Sequence, residues 1–129
     1  DHLAAAASRS ARSIKAVLLD QSILAGVGNI YADESLFRAR IRPTRSARRI
    51  KPDEWTTLAA AIRAVLATSI ASGGSTLRDY INASGQTGSA QELHAVYGRG
   101  RKPCLTCSTP LKAQVLAQRM TVYCTVCQR

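Results

Sequence analysis

Cys104-Leu105-Thr106-Cys107 and Cys124-Thr125-Val126-Cys127, two Cys-x-x-Cys pairs sixteen residues apart, contain every cysteine of the chain. One such loop can aim two thiolates at a single ion, and two complete a tetrahedron around zinc. Between the pairs, Val115, Thr121, Val122 and Tyr123 are β-suited residues flanking Ala117-Gln118-Arg119. This predicts a hairpin over Leu111 to Tyr123 whose tip presents Arg119. The C-terminal part therefore reads as a small β-hairpin zinc finger, with Cys104, Cys107, Cys124 and Cys127 holding one zinc ion. Two disulfides are the alternative, disfavoured because no segment resembles a secretory signal. A redox Cys-x-x-Cys is disfavoured because no βαβ pattern surrounds either pair.

Working outward, a chain of 129 residues with 46% apolar but only 5% aromatic residues suits an alanine-rich helical core. No apolar run approaches the roughly 20 residues that span a membrane, so a cytoplasmic, monomeric protein is expected. The first residue is Asp1, which points to a fragment or a processed product.

The net charge of +10 is unevenly spread. Arg38, Arg40, Arg42, Arg45, Arg48, Arg49 and Lys51 fall in one stretch without an acid, and Arg99 to Arg129 again holds bases and no acid. Two basic zones flanking a near-neutral segment outline a footprint for a polyanion.

The expected helices are three longer ones and a short fourth. Ser13 caps Ile14 to about Asp20. Leu24-Ala25-Gly26-Val27-Gly28-Asn29 follows as a glycine turn with Asn29 as N-cap, and a second helix runs from Ile30 to about Ala39. Pro52, Asp53 and Glu54 open the longest helix, whose buried stripe is Trp55, Leu58, Ile62, Val65, Leu66, Ser69 and Ile70. Trp55 is placed there as a core anchor, not a base-stacking platform. Gly73-Gly74 ends that helix, Ser75 to Tyr80 opens the fourth, and Asn82 to Ser89 is a polar loop. The domains are residues 1–96, helical, and 97–129, the finger. In chemical terms the Gly26–Asn29 turn could cradle a phosphate with its backbone N–H groups, and Lys15 could add a point charge to it. Arg119 could fork onto phosphates from the hairpin tip. His2 and His94 are superfluous as ligands, and His94 reads as a surface or loop residue.

Three stretches together resemble the C-terminal half of the formamidopyrimidine-DNA glycosylase and endonuclease VIII family. They are Ile14 to Gln21 continuing through Gly26 to Phe37; Gly73 to Tyr80; and Val96-Tyr97-Gly98-Arg99 with Pro103-Cys104, Gln118-Arg119 and Tyr123 to Gln128. The resemblance implies a mostly α fold, a helix–two-turn–helix domain followed by a zinc finger, that clamps bent damaged duplex DNA. It implies that Gly28, Asn29 and Lys15 hold phosphates near the lesion, and that Arg119 reaches the phosphate beside the flipped nucleotide and assists δ-elimination. The loop around Thr87-Gly88 would fold over the extruded base. The implied activity is that of a bifunctional glycosylase and lyase excising oxidised purines in base excision repair. Its proline nucleophile belongs to an N-terminal domain outside this chain, so the chain alone is expected to be inactive and to partner that domain. Ser89-Ala90 stands where the family has Tyr-Phe, and Arg101 where it has glycine. The competing readings are a non-enzymatic zinc-containing nucleic-acid-binding protein and a lesion sensor.

Overall fold

The computed structural model describes residues 10–20, 25–71 and 94–129, with side chains in the middle segment for 28–67. The expected turn residues before 25, the glycine pair at 73–74, the short helix after it and the polar loop around Thr87-Gly88 lie outside the described residues. Three helices, α1 (Ile14–Asp20), α2 (Ala25–Ala39) and α3 (Pro52–Ala71), precede a hairpin of β1 (Lys112–Leu116) and β2 (Arg119–Tyr123). The mostly helical fold with a C-terminal hairpin is the one the sequence predicts. Among the described residues no helix is long and apolar enough to cross a membrane.

Helix α1 starts where Ser13 accepts the Ala16 N–H at 3.2 Å, an N-cap bond. It is docked edge-on: the segment 43–48 runs alongside it, with Ile14 N donating to Arg45 O and Ala47 N to Arg12 O. Helix α2 ends in a Schellman motif. Ile41 N donates to Leu36 O and Arg40 N to Phe37 O, while Arg40 takes the left-handed φ of 63°. Helix α3 opens on half of a capping box, in which Glu54 accepts the Lys51 N–H at 3.0 Å. Glu54 also receives both arms of Arg45, at 2.6 and 2.8 Å.

These helices close one core of Ile14, Val17, Leu36, Ile41, Ala47, Ile50, Trp55 and Leu58. Trp55 is the anchor expected, at 7% exposure. Leu66 departs from the predicted stripe and is 37% exposed, because no described element covers that turn of α3. A second cluster lies in the finger: Val96, Cys104, Leu111, Val122 and Cys124, with Phe37 of α2 packed against it. Consecutive residues Leu36 and Phe37 thus serve the two cores from one helix. Within the finger, Gly100 is required by close approach, since a Cβ there would sit 2.9 Å from that of Ala113.

Two polar fasteners hold the finger to the helices. Glu34 on α2 accepts three backbone N–H groups, from Ala95, Val96 and Tyr97, at 2.7, 2.8 and 2.8 Å. The C-terminal strip pairs with the segment after α2: Arg42 N donates to Arg129 O, Arg129 N to Arg40 O, and Gln128 Nε2 to Ile41 O. The Arg42 guanidinium adds bonds to the carbonyls of Gln128 and Thr125.

An amide at position 34 offers one accepting oxygen where the carboxylate offers two, so Glu34→Gln strands at least one buried N–H. The expected cost is about 2 kcal/mol, read as a lower urea midpoint at unchanged slope. An unshifted midpoint would show that the 95–97 backbone does not depend on this carboxylate.

Candidate nucleic-acid interface and metal centre

Each Cys-x-x-Cys folds into a tight turn that offers N–H groups to its leading sulfur: Thr106 N to Cys104 Sγ at 3.4 Å and Cys127 N to Cys124 Sγ at 3.3 Å. The first turn closes through Ser108, held at a φ of 67°, whose N–H reaches Cys104 O. In the second, Gln128 Oε1 accepts the Cys124 N–H at 2.8 Å. The four sulfurs converge within 4.8 Å of one another. Cys104 and Cys127 are 3.8 Å apart, and Cys107 and Cys124 3.5 Å. A tetrahedral thiolate site with metal–sulfur bonds of about 2.3 Å has S···S edges of about 3.8 Å, whereas a disulfide requires about 2 Å. The donor set therefore fits a metal ion held by all four cysteines. The Thr109 hydroxyl and backbone draw the Cys107 thiol down to about 6. Burial and the neighbouring sulfurs push Cys127 up to about 12. Four thiolates this close need a cation to neutralise them.

The hairpin register is Lys112↔Tyr123, Ala113↔Val122, Gln114↔Thr121, Val115↔Met120 and Leu116↔Arg119. Its two-residue loop, Ala117-Gln118, has φ values of 54° and 64°, the doubly left-handed pattern that matches the strand twist. Arg119 follows the loop as the first residue of β2, exposed at the tip as expected. Period two places Arg119, Thr121 and Tyr123 on one face of the ribbon. Thr121 and Tyr123 are buried, so that face turns toward the helices.

There the residues expected to touch nucleic acid meet. The carbonyl of Met120, next to Arg119, accepts both Asn29 Nδ2 at 3.3 Å and Lys15 Nζ at 3.1 Å. Lys15, Asn29 and Arg119, 14 to 104 positions apart in the chain, are gathered around one peptide unit. Gly28 lies beside Asn29 and is buried.

Two details differ from expectation. Helix α2 begins at Ala25, so Gly26, Gly28 and Asn29 lie inside its first turns and Asn29 is not its N-cap. The first four N–H groups of a helix, counted from its N-cap, have no intrahelical partner, and those of Ala25, Gly26 and Val27 fall among them here. Lys15 is the second departure, being fully buried. It is ion-paired to Asp33 at 2.7 Å and donates to Thr121 Oγ1 at 2.7 Å. Burial lowers its pKa, and burial raises that of Asp33 to about 6 against the attraction of Lys15. Asp33 Oδ2 in turn accepts the Val122 N–H at 3.2 Å.

Sequence reading missed Asp33, Glu34, Thr121 and Gln128 as partners. A usable signal was Lys15 itself, a lone cation in the apolar run Ile14-Lys15-Ala16-Val17, which needs a buried carboxylate. His94, read as a surface or loop residue, lies outside any helix or strand but is buried rather than at the surface. It is 8% exposed and packs edge-on against Tyr97 with ring centres 5.5 Å apart.

The basic stretch after α2 is less free than its count suggests. Arg42 and Arg45 spend their guanidinium groups on carbonyls and Glu54. Arg40, Arg48, Arg49 and Lys51 remain exposed.

Comparison with known proteins agrees with this geometry. Residues 1–81 match the family model described as the formamidopyrimidine-DNA glycosylase H2TH domain. The chain is 54% identical over 117 residues to the formamidopyrimidine-DNA glycosylase of Ralstonia nicotianae, covering 91% of this chain and 41% of the relative. It is 48% identical over 123 residues to that of Hahella chejuensis, covering 95% and 45%. Among solved structures, MutM (Fpg) from Thermus thermophilus superposes with a TM-score of 0.80 at 46% identity, covering 98% of this chain and 48% of the other. Lactococcus lactis Fpg in complex with abasic-site DNA gives 0.82 at 33% identity, covering 99% and 46%. The chain thus spans less than half the length of these relatives. The family match over residues 1–81 and the superposition over nearly the whole chain make it a member of the formamidopyrimidine-DNA glycosylase family.

Proposed function

We propose that this chain is the DNA-gripping part of a glycosylase and lyase that removes oxidised purines, with zinc as the ion in its four-cysteine site. The observation that carries the reading is the meeting of Asn29 and Arg119 at the Met120 carbonyl. It sets an exposed guanidinium beside the N-terminal turns of α2. Unpaired N–H groups at a helix start attract phosphate, and an arginine fork binds it bidentately. The two together suit adjacent phosphates of one strand. Lactococcus lactis Fpg forms complexes with abasic-site DNA and with a Fapy-dG-containing DNA, which supports damaged duplex as the ligand of this chain as well. Under this reading Arg119 also steadies the phosphate that leaves in δ-elimination. Cys104, Cys107, Cys124 and Cys127 hold zinc, which supplies folding energy and no chemistry. The lesion-sensor alternative shares the grip and differs only in lacking the excision chemistry.

Arg119→Ala is expected to weaken binding to an abasic-analogue duplex irrespective of sequence and to reduce the salt slope of log K by about one. A slope equal to that of the unaltered chain would remove Arg119 from the phosphate contacts. Stripping zinc with a chelator is expected to unfold residues from Tyr97 onward and weaken the same binding, with circular dichroism and proteolysis at Lys112 reporting the unfolding. DNA affinity unchanged after complete metal removal would refute the structural role.

A further inference from the structure

The Lys15 ammonium donates to Thr121 Oγ1 and to the Met120 carbonyl at 2.7 and 3.1 Å and is ion-paired with Asp33 Oδ1 at 2.7 Å. Its charge is thus answered inside the protein, and with the side chain 0% exposed it is out of reach of an outside phosphate. Asp33 completes the arrangement through the Val122 N–H. The pair therefore holds three consecutive residues of β2, Met120, Thr121 and Val122, directly after Arg119. A two-stranded ribbon is marginal by itself, and beyond these bonds the tip is tied to α2 by Asn29 Nδ2, which donates to the Met120 carbonyl at 3.3 Å.

We propose that Lys15 and Asp33 are positioning residues, a buried ion pair that locks the register of β2 against α1 and α2 and so sets where Arg119 meets DNA. The proposal rests on the DNA-contact reading of Arg119 above. A buried ion pair is a poor source of net stability, since desolvation offsets most of the attraction, and its use is better sought in specifying one arrangement. Here that arrangement is specific. Slipping β2 by one residue turns Thr121 away from Lys15 and brings Met120 or Val122 against a buried charge.

The test is a cycle in the zinc-loaded 129-residue chain, using Lys15→Met, Arg119→Ala and both together, with affinity for an abasic-analogue duplex measured against salt. Lys15→Met is expected to lower affinity and the salt slope by the same amounts as Arg119→Ala, and the double variant to be no weaker than Arg119→Ala alone. A direct phosphate contact by Lys15 gives multiplying losses and a slope lower by about two in the double variant, and that result overturns the positioning role. Because Lys15→Met leaves Asp33 buried without its cation, Lys15→Met/Asp33→Leu and Thr121→Val are measured in parallel. Thr121→Val keeps the ion pair and cuts its tether to the strand. Its loss of affinity should vanish in the Arg119→Ala background, and a loss that persists there counts against the proposal. If Arg119→Ala alone changes nothing, the DNA-contact reading fails first, which separates the two conclusions.

Discussion

Adjacent buried carboxylates on α2, Asp33 and Glu34, are the constraint on which the joint between helices and finger depends. A carboxylate removed from water is costly unless its lone pairs are matched. Glu34 is matched by the Ala95, Val96 and Tyr97 N–H groups and Asp33 by Lys15 and the Val122 N–H. The finger thus closes over α2 in a placement that gives both buried carboxylates partners from the finger. Apolar packing of Phe37 against the finger cluster adds area, but it is non-directional and would tolerate sliding. The carboxylates would not. With the strip formed by Arg40, Arg42, Gln128 and Arg129, they make the two regions behave as one surface rather than as modules on a tether.

Much of this was legible from local rules. The Ser13 cap, the Pro52 start, the Trp55 anchor and the hairpin around Ala117-Gln118 each follow from residues a few positions apart, and the structure shows them. The four cysteines were legible for the same reason, since their spacing states their geometry. What escaped was non-local. Lys15 to Thr121 spans 106 positions and Glu34 to Val96 spans 62, and no periodicity links such residues. Lys15 was assigned an outward job because a lysine near a glycine turn in a basic chain looks like a phosphate contact. Its apolar neighbours Ile14, Ala16 and Val17 argued for burial and are themselves buried. The start of α2 was misjudged because Gly26 and Gly28 read as a turn, whereas near a helix N-terminus their backbone cost is modest and their N–H groups remain available.

Backbone strain and charge are linked in this chain. Positive φ is reached by Arg40, Arg101, Ser108, Ala117 and Gln118, positions where glycine or asparagine would be easier at roughly 1–2 kcal/mol each. Ala117 and Gln118 lie in the turn that presents Arg119, and Ser108 in the first cysteine turn. Arg40 caps α2 and Arg101 stands ahead of the first cysteine pair, both exposed. Arg40, Arg101 and Ser108 are each tied by a backbone bond, to Phe37 O, Leu111 O and Cys104 O respectively, so the surrounding structure enforces the conformation. Arginine at two glycine-favouring positions adds charge to the surface at a conformational cost.

That cost bears on the metal centre. The finger has a small apolar cluster, three left-handed residues at the first cysteine turn and hairpin tip, and a two-stranded sheet, none of which supports independent stability. Four sulfurs at near-tetrahedral spacing supply what the core lacks, because metal binding to thiolates is itself folding free energy. The order of dependence then runs in one direction. An ion bound there would hold the cysteine turns, and Gln128 beside the last of them bonds Cys124 on one side and Ile41 on the other. The buried carboxylates of α2 register the hairpin against the helices, and only then does the guanidinium of Arg119 stand at a defined place. Exposed charge is abundant on this chain. Its placement at the hairpin tip depends on buried charge.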